Sequence, residues 1–592
     1  MKLRRALVAT LLAAAPLGCG DDPNPAPADA GSTNDLGAVD AGVDAGADAG
    51  ADAGVDVPTR PPDPIPYAGP DDWCPGQDHC ASAGATLEVG AAREDINPTL
   101  VETQWEDRNS NGLYDEGEPF TDTNGNGRFD AVWVAGYSNG RPATGVHDDL
   151  EVRALALRSG DTTVVYAVVD CVGLMITETD RIRADPSLAG LGIDRVIVSS
   201  THVHEGVDTL GLWGVRLLVN GRDPAYMARV RERTATAIRR AVADLRPARM
   251  RVAQVVTADP MTRSTLEYVN DTRDPVLYDP TVTIARFTEA AAPDRTIATW
   301  VNWAAHPEYT GARNTLLSAD YVHALRETLE DGLPVEAIGG LGGVTVFSNG
   351  PLGGQVGPGG GVRPRNAMGE PVRESGFERA QSAGRNVARL ALSALAREGT
   401  DVTGDVTVSY RSAPIYARAE NRLYGIAYTQ GVFDREISHY DPTRPLTRDN
   451  PAWVRSRVTY LQVGPLATVT APGELNPELW VGYDPMWSWG QPVLTETENR
   501  PDLSMAPAAP YLRELMLANP GVRWAFVTGL GDDFLGYIIA RFNFVVAPVL
   551  PYLAEAAGDH YEETNSIGPD CEAHLQRPMM ELARWRSPST SP

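Results

Sequence analysis

The sequence predicts an α/β fold in which mixed β-sheets are flanked by helices within one large domain, residues 87–592, interrupted by an inserted segment at 107–133. Three observations predict it. From Leu87 onward strand-like and helix-like runs alternate. No change of composition sets a second folded domain apart. The stretch 107–133 is rich in Asp, Asn and Gly and follows neither period.

Ahead of the domain, Met1–Gly18 has a basic start (Lys2, Arg4, Arg5) and then the apolar run Ala6–Leu17. The run is too short to cross a bilayer and ends in small residues, so it reads as a signal peptide. Pro16-Leu17-Gly18-Cys19 resembles a bacterial lipobox. That resemblance implies lipidation of Cys19 and anchoring to a membrane on its periplasmic or cell-surface side. Within residues 19–60, Ala28–Val57 repeats Asp-Ala-Gly units with no large side chain to bury, which predicts a disordered tether. In the segment 61–86, Cys74 and Cys80 lie in one short loop, and an oxidising compartment predicts a disulfide between them. Cys171 follows a strand-like run and is expected as a buried thiol.

The inserted segment holds two calcium-loop patterns. In the first, Asp107, Asn109, Asn111, Asp115 and Glu118 fall at loop positions 1, 3, 5, 9 and 12, with Gly112 at the sharp turn and the Leu113 carbonyl at position 7. The second runs Asp122, Asn124, Asn126, Gly127, Arg128 (through its carbonyl) and Asp130, and places Trp133 where the last acid belongs. The copies start too close together for the flanking helices of an EF-hand, so tandem structural calcium loops are expected.

The formal charge is −27, and it stays near −21 beyond Val57 once the leader bases and the nine Asp of Gly20–Val57 are set aside. An acidic body repels phosphate backbones, which argues against nucleic-acid binding. Lys2 is the only lysine. That excludes Schiff-base, pyridoxal-phosphate and P-loop chemistry from the mature chain.

Within the domain, β runs are predicted at Thr162–Val169, Arg195–Ser199, Met250–Val256, Thr281–Phe287, Thr296–Trp303 and Val344–Phe347, and later at Val406–Tyr416, Arg457–Gln462, Ala467–Thr470 and Trp524–Thr528. Helical periodicity marks Pro224–Leu245, Ala319–Gly332 and Glu374–Arg397. Four strand ends then stand out. Ser200-Thr201-His202-Val203-His204-Glu205-Gly206 carries a His-x-His pair, whose imidazoles point to one side if the chain is extended. Such a pair serves metals, and it also occurs in surface loops. Asn302-Trp303-Ala304-Ala305-His306-Pro307 ends a strand on a His, either a ligand or a core His satisfied by backbone. Ala471-Pro472-Gly473-Glu474 and Asp532–Ile538, which includes Tyr537, follow the later β runs.

Taken in order, these four motifs resemble the neutral/alkaline (non-lysosomal) ceramidase family over roughly Leu87 to Leu582. Gly136-Tyr137, Gly145-Val146-His147-Asp148, Ser318-Ala319-Asp320-Tyr321 and Tyr561-Glu562-Glu563 support the resemblance. It implies zinc held by His202, His306, Glu474 and Tyr537, with His204 facing the substrate. The Arg263-Ser264 and Tyr268 segment resembles one whose Arg lines the family's active site. The implied activity is hydrolysis of an N-acyl amide, a ceramide-like lipid or related acyl amide, by metal-activated water, with His204 serving the leaving amine and Arg263 the oxyanion. The chain departs from the family at Gly353–Pro358, where the expected Ser falls on Val356 or Gly357 and the expected Asp on Gly354. Two alternatives follow from that departure: a silent surface lipoprotein that keeps the zinc fold for binding, and a metallo-esterase or peptidase on the same scaffold.

Overall fold

The computed structural model describes residues 64–258, 265, 267–271, 273–355, 361–447 and 449–587. The expected signal peptide, Cys19 and the tether lie outside them. Two mixed sheets form the centre. The larger has nine strands, in the order Val344–Asn349, Thr296–Trp303, Thr281–Glu289, Arg246–Val256, Ala83–Asp95, Glu151–Gly160, Thr162–Val169, Arg195–Ser200, with Thr400–Asp401 added beside Arg246–Val256. The outermost pair at each end is parallel and the middle is antiparallel.

This sheet curls until its two ends meet. Asn349, at one edge, donates its amide to the Thr201 carbonyl just past the other edge at 3.0 Å. Across the hollow Tyr166 stacks on Trp300, ring centroids 5.2 Å apart. The curl matters for function, because it brings the C-terminal ends of Arg195–Ser200 and Thr296–Trp303 to one place.

The second sheet has six strands, ordered Asp72–Cys74, Val408–Ala419, Ala452–Val463, Leu466–Thr470, Trp524–Thr528, with Ile437–Ser438 beside Ala452–Val463. It packs on the first through Leu155, Tyr166, Trp300, Tyr410, Leu461 and Phe526. Burying such large side chains contributes roughly 1.5–3 kcal/mol each. Helices Asp320–Asp331 and Phe377–Arg397 cover one flank, and Pro224–Ala243 another. The first two approach closely because Gly384 has no side chain: a Cβ there would stand 2.2 Å from the Tyr321 carbonyl oxygen. Helix Pro224–Ala243 starts on the Asp223 side chain, which accepts from Ala225 N, with Pro224 at its first position.

Thr162–Val169, Thr296–Trp303 and Trp524–Thr528 fall where the sequence predicts strands. The long central strands Ala83–Asp95 and Glu151–Gly160 are not legible in the sequence. Both are rich in Ala and polar residues, so it is cross-strand pairing and burial that settle their conformation. The Cys-containing segment joins the domain: Asp72–Cys74 pairs with Tyr410–Ser412, and Cys74 and Cys80 form a disulfide. Cys171 and Cys571 are buried free thiols. The stretch Glu420–Asn450 contains the helix Arg422–Thr429 and the short strand Ile437–Ser438. No helix among the described residues is long and apolar enough to cross a membrane.

Candidate metal centre

Each of the four strand ends delivers one side chain to a common point. His202 follows Arg195–Ser200 with φ +69°, its backbone N–H bound to the Cys171 carbonyl at 3.0 Å. The chain is therefore not extended through His202-Val203-His204, as simple alternation supposes. A left-handed residue followed by a turn brings the two imidazoles together instead. A His held there costs about 1–3 kcal/mol, a cost the surrounding packing must over-determine. Its Nδ1 lies 2.6 Å from the Val172 carbonyl oxygen, and the Nδ1 of His306 lies 3.1 Å from that of Gln355. A carbonyl can only accept, so both Nδ1 atoms carry the proton and both Nε2 lone pairs point inward.

What those lone pairs face is another acceptor. Glu474 Oε2 lies 3.3 Å from His202 Nε2 and 3.1 Å from His306 Nε2, with all three side chains buried. Tyr537 Oη stands 3.3 Å from His306 Nε2. Glu474 and Tyr537 sit opposite each other in the two-stranded parallel pair Glu474–Leu475 and Tyr537–Ile538. The Gly536 before Tyr537 holds φ +77°, and a Cβ there would lie 1.8 Å from the Asn565 carbonyl oxygen. The segment leading to Tyr537 is pinned by buried ion pairs. Asp532 takes Arg183, Arg195 and the Thr459 hydroxyl, and Asp533 takes Arg435 and the Ile176 N–H.

Lone pairs and a carboxylate packed this closely suit a cation between them. Burial pushes the His306 imidazolium down, with Glu474 opposing. Burial would raise the Glu474 carboxyl, but His202 and His306 outweigh it and hold it near about 2. Four N and O donors around one small metal ion at about 2.0–2.1 Å would be spaced about 3.3 Å apart, and the three separations given above are 3.1–3.3 Å. The set fits a metal ion.

His204 lies beside this set, its Nε2 3.3 Å from His202 Nε2, and His202, His204 and His306 together form a group able to hold a metal. Its Nδ1 is 3.3 Å from Glu308 Oε2. Burial pushes the His204 imidazolium well down and the Glu308 carboxyl well up. Sequence reasoning missed Glu308; its one signal is the acid two positions after His306. Arg263, Ser264, Val356 and Gly357 fall outside the described residues. Ser348 is turned into the core, its hydroxyl within 3.2 Å of Trp300 Nε1 and Asn302 Nδ2. Of the supporting motifs, Asp148 binds the Ser318 hydroxyl at 2.6 Å and Ala319 N at 2.7 Å.

The two Asp/Asn loops take the same form. Asp107 Oδ2 accepts from Gly112 N as Asp122 Oδ2 accepts from Gly127 N. Asn109 and Asn111 donate to Asp115 as Asn124 and Asn126 donate to Asp130. The N–H groups of Leu113 and Arg128 bind Asn111 and Asn126 alike. In the first loop Glu118 accepts from the second and ninth backbone N–H, those of Arg108 and Asp115. In the second loop the equivalent N–H groups, of Thr123 and Asp130, are taken by Glu102 at 2.9 and 2.7 Å. The place that the sequence pattern gives to Trp133 is therefore occupied by an acid from upstream, while Trp133 packs against Phe129 and Tyr114.

No known family profile matches the chain, and no curated protein matches it. Solved structures do, among them two ceramidases. Neutral ceramidase from Pseudomonas aeruginosa superposes with a TM-score of 0.55 at 14% identity, over 84% of this chain and 74% of that one. A ceramidase complexed with C2 superposes with a TM-score of 0.54 at 13% identity, over 84% and 75%. The chain has the fold of the neutral ceramidases.

Proposed function

We propose that this chain is a zinc-dependent hydrolase of the neutral ceramidase type that cleaves an N-acyl amide, a ceramide-like lipid or a related acyl amide. One observation carries the reading: the Nε2 lone pairs of His202 and His306 both face the buried Glu474 carboxylate, with the Tyr537 hydroxyl beside His306. His202, His306, Glu474 and Tyr537 hold the metal. Zinc bound there supplies Lewis acidity for a scissile carbonyl and a lowered pKa for water. His204 borders the site, its Nδ1 beside Glu308. Its Nε2 would take a proton from the attacking water and then give that proton to the leaving amine. Arg263 steadies the oxyanion. With no Ser at Val356 or Gly357, water rather than a serine attacks the acyl carbon.

Hydrolysis of a panel of N-acyl amides by residues 58–592 tests this. Wild type turns over at least one amide, and His204→Ala lowers kcat by about 10²–10⁴-fold while zinc stays stoichiometric. Full zinc with no turnover on any amide or ester would leave the second reading, a surface protein that keeps the metal fold for binding. The missing Ser favours that reading.

The protein is exported and lipid-anchored through Cys19, and the two loops bind structural calcium. Asp107, Asn109, Asn111, Leu113, Asp115 and Glu118 form one site. Asp122, Asn124, Asn126, Arg128, Asp130 and Glu102 form the other. Glu118→Gln and Glu102→Gln are each expected to remove one calcium per chain by equilibrium dialysis. Unchanged stoichiometry in Glu102→Gln would return the second loop to an incomplete site.

A further inference from the structure

Away from the metal centre, a cavity of about 310 Å³ opens between the helix Pro477–Val481, the loop 507–511 and the C-terminal helix Arg577–Arg584. That is near the lower end of small-molecule sites. Its chemistry is graded with depth. Leu479, Pro510, Tyr511 and Met580 give apolar and aromatic walls. The mouth carries Arg577, paired with Glu581 at 3.0 Å, and the exposed Arg584.

Two further acids line the cavity. Glu478 is 2% exposed, and the polar contact its carboxylate makes is a long one of 3.4 Å from the Asn476 amide. Among the described residues no arginine or histidine pairs with it directly, and Arg273 acts on it through space. Glu572, half-exposed, accepts from the Arg541 N–H at 3.0 Å. The hydroxyl of Tyr483, which also lines the cavity, is buried without a hydrogen-bond partner, and Glu478 and Glu572 are the acids acting most strongly on it. Burial pushes the Glu478 carboxyl up, with Arg273 opposing, so a cation entering beside it would favour the ionised form.

We infer that this cavity binds a primary alkylammonium ion, its head on Glu478, Glu572 and the Tyr483 hydroxyl and its chain along Leu479, Tyr511 and Met580. Three N–H donors match three oxygen acceptors. The Tyr511 and Tyr483 rings, with centroids 6.0 Å apart, add attraction for the cation. A quaternary ammonium lacks the donors, and a neutral alcohol lacks the charge.

Calorimetric titration of the zinc-loaded full chain with n-butylamine at neutral pH, where the amine is protonated, tests the inference. Saturable binding is expected, with tetramethylammonium weaker and 1-butanol without effect. Glu478→Gln and Glu572→Gln each weaken it by more than about tenfold, with zinc content and fold by circular dichroism unchanged. If Glu478→Gln does not fold, Glu572→Gln and Tyr483→Phe decide. No saturable binding by wild type overturns the proposal. So does binding that survives both Glu572→Gln and Tyr483→Phe, or equal binding of 1-butanol. The metal-site reading stands or falls separately, since neither amine affinity nor these variants touch its ligands.

Discussion

His306→Ala is expected to lose stoichiometric zinc. Removing an outer partner of a metal ligand already costs about 10–100-fold in affinity, and His306 is proposed as a direct ligand, so the loss should exceed that. His306 is central to the cluster. Its Nε2 lies 3.1 Å from Glu474 Oε2 and 3.3 Å from Tyr537 Oη. Removing the ring leaves the buried Glu474 facing His202 alone. Metal analysis of the purified variant reads the result, and a melting curve with and without chelator checks it. A ligand held at ~1,000 times its Kd stabilises by about 4 kcal/mol. Chelation should therefore lower the Tm of wild type and leave that of His306→Ala nearly unmoved. His204→Ala is the contrast, because Glu308 and not Glu474 is the acid that holds its ring. Full zinc in His306→Ala would remove the site assignment altogether, whatever the substrate proves to be.

Arg273→Met is expected to destabilise the fold by about 3–5 kcal/mol, the cost of breaking a buried pair by removing one partner. Arg273 is 2% exposed and donates to Glu562 at 3.0 Å, to Glu563 at 2.8 Å and to the Asn543 carbonyl at 2.6 Å. The two acids it serves are driven apart. Burial raises Glu562 to about 8, with Glu563 adding to that and Arg273 opposing it. Burial also acts on Glu563, but Arg273 and His560, whose Nδ1 is 3.0 Å away, overcome it and hold that carboxyl down. One acid is thus the ionised partner and the other stays neutral at moderate pH.

The sign of the pH effect follows. A carboxyl whose folded pKa lies above its unfolded value of about 4.5 contributes stability that is complete below about 4.5 and is lost as pH rises through about 8. Urea unfolding between pH ~5 and ~8 should show Glu562→Gln gaining on wild type as pH rises. Arg273→Met should lose further in the same window. A pH-independent difference between Glu562→Gln and wild type would mean Glu562 is ionised in the fold.

Much of this was legible in the residues. His202, His306, Glu474 and Tyr537 each follow a β run, and Glu474 lies beside both His202 and His306, with Tyr537 beside His306. Strands such as Thr162–Val169 and Trp524–Thr528 were legible because β-branched and aromatic residues crowd them. The calcium-loop pattern was legible because it is local, with every oxygen of the first copy inside one stretch of chain. Glu102 was not, since it reaches the second loop from outside that loop's own sequence. Glu308 was hidden for a related reason: an acid two residues past a His has no distinctive spacing until the curled sheet sets it against His204.

The sequence by itself determined the α/β class, the ordered set of strand-end donors, the two loops and the exclusion of lysine chemistry. All of these are carried by residue type and short-range spacing. Tertiary structure alone decided that the two ends of the nine-stranded sheet meet, that His202 turns left-handed so both imidazoles converge, and that Glu474 and Tyr537 pair across a two-stranded ribbon. It also decided that Glu478 and Glu572 line one cavity. The reason is physical: a period of two or of 3.6 residues fixes which face a side chain takes, whereas its partner across the core depends on sheet curl and on long-range packing.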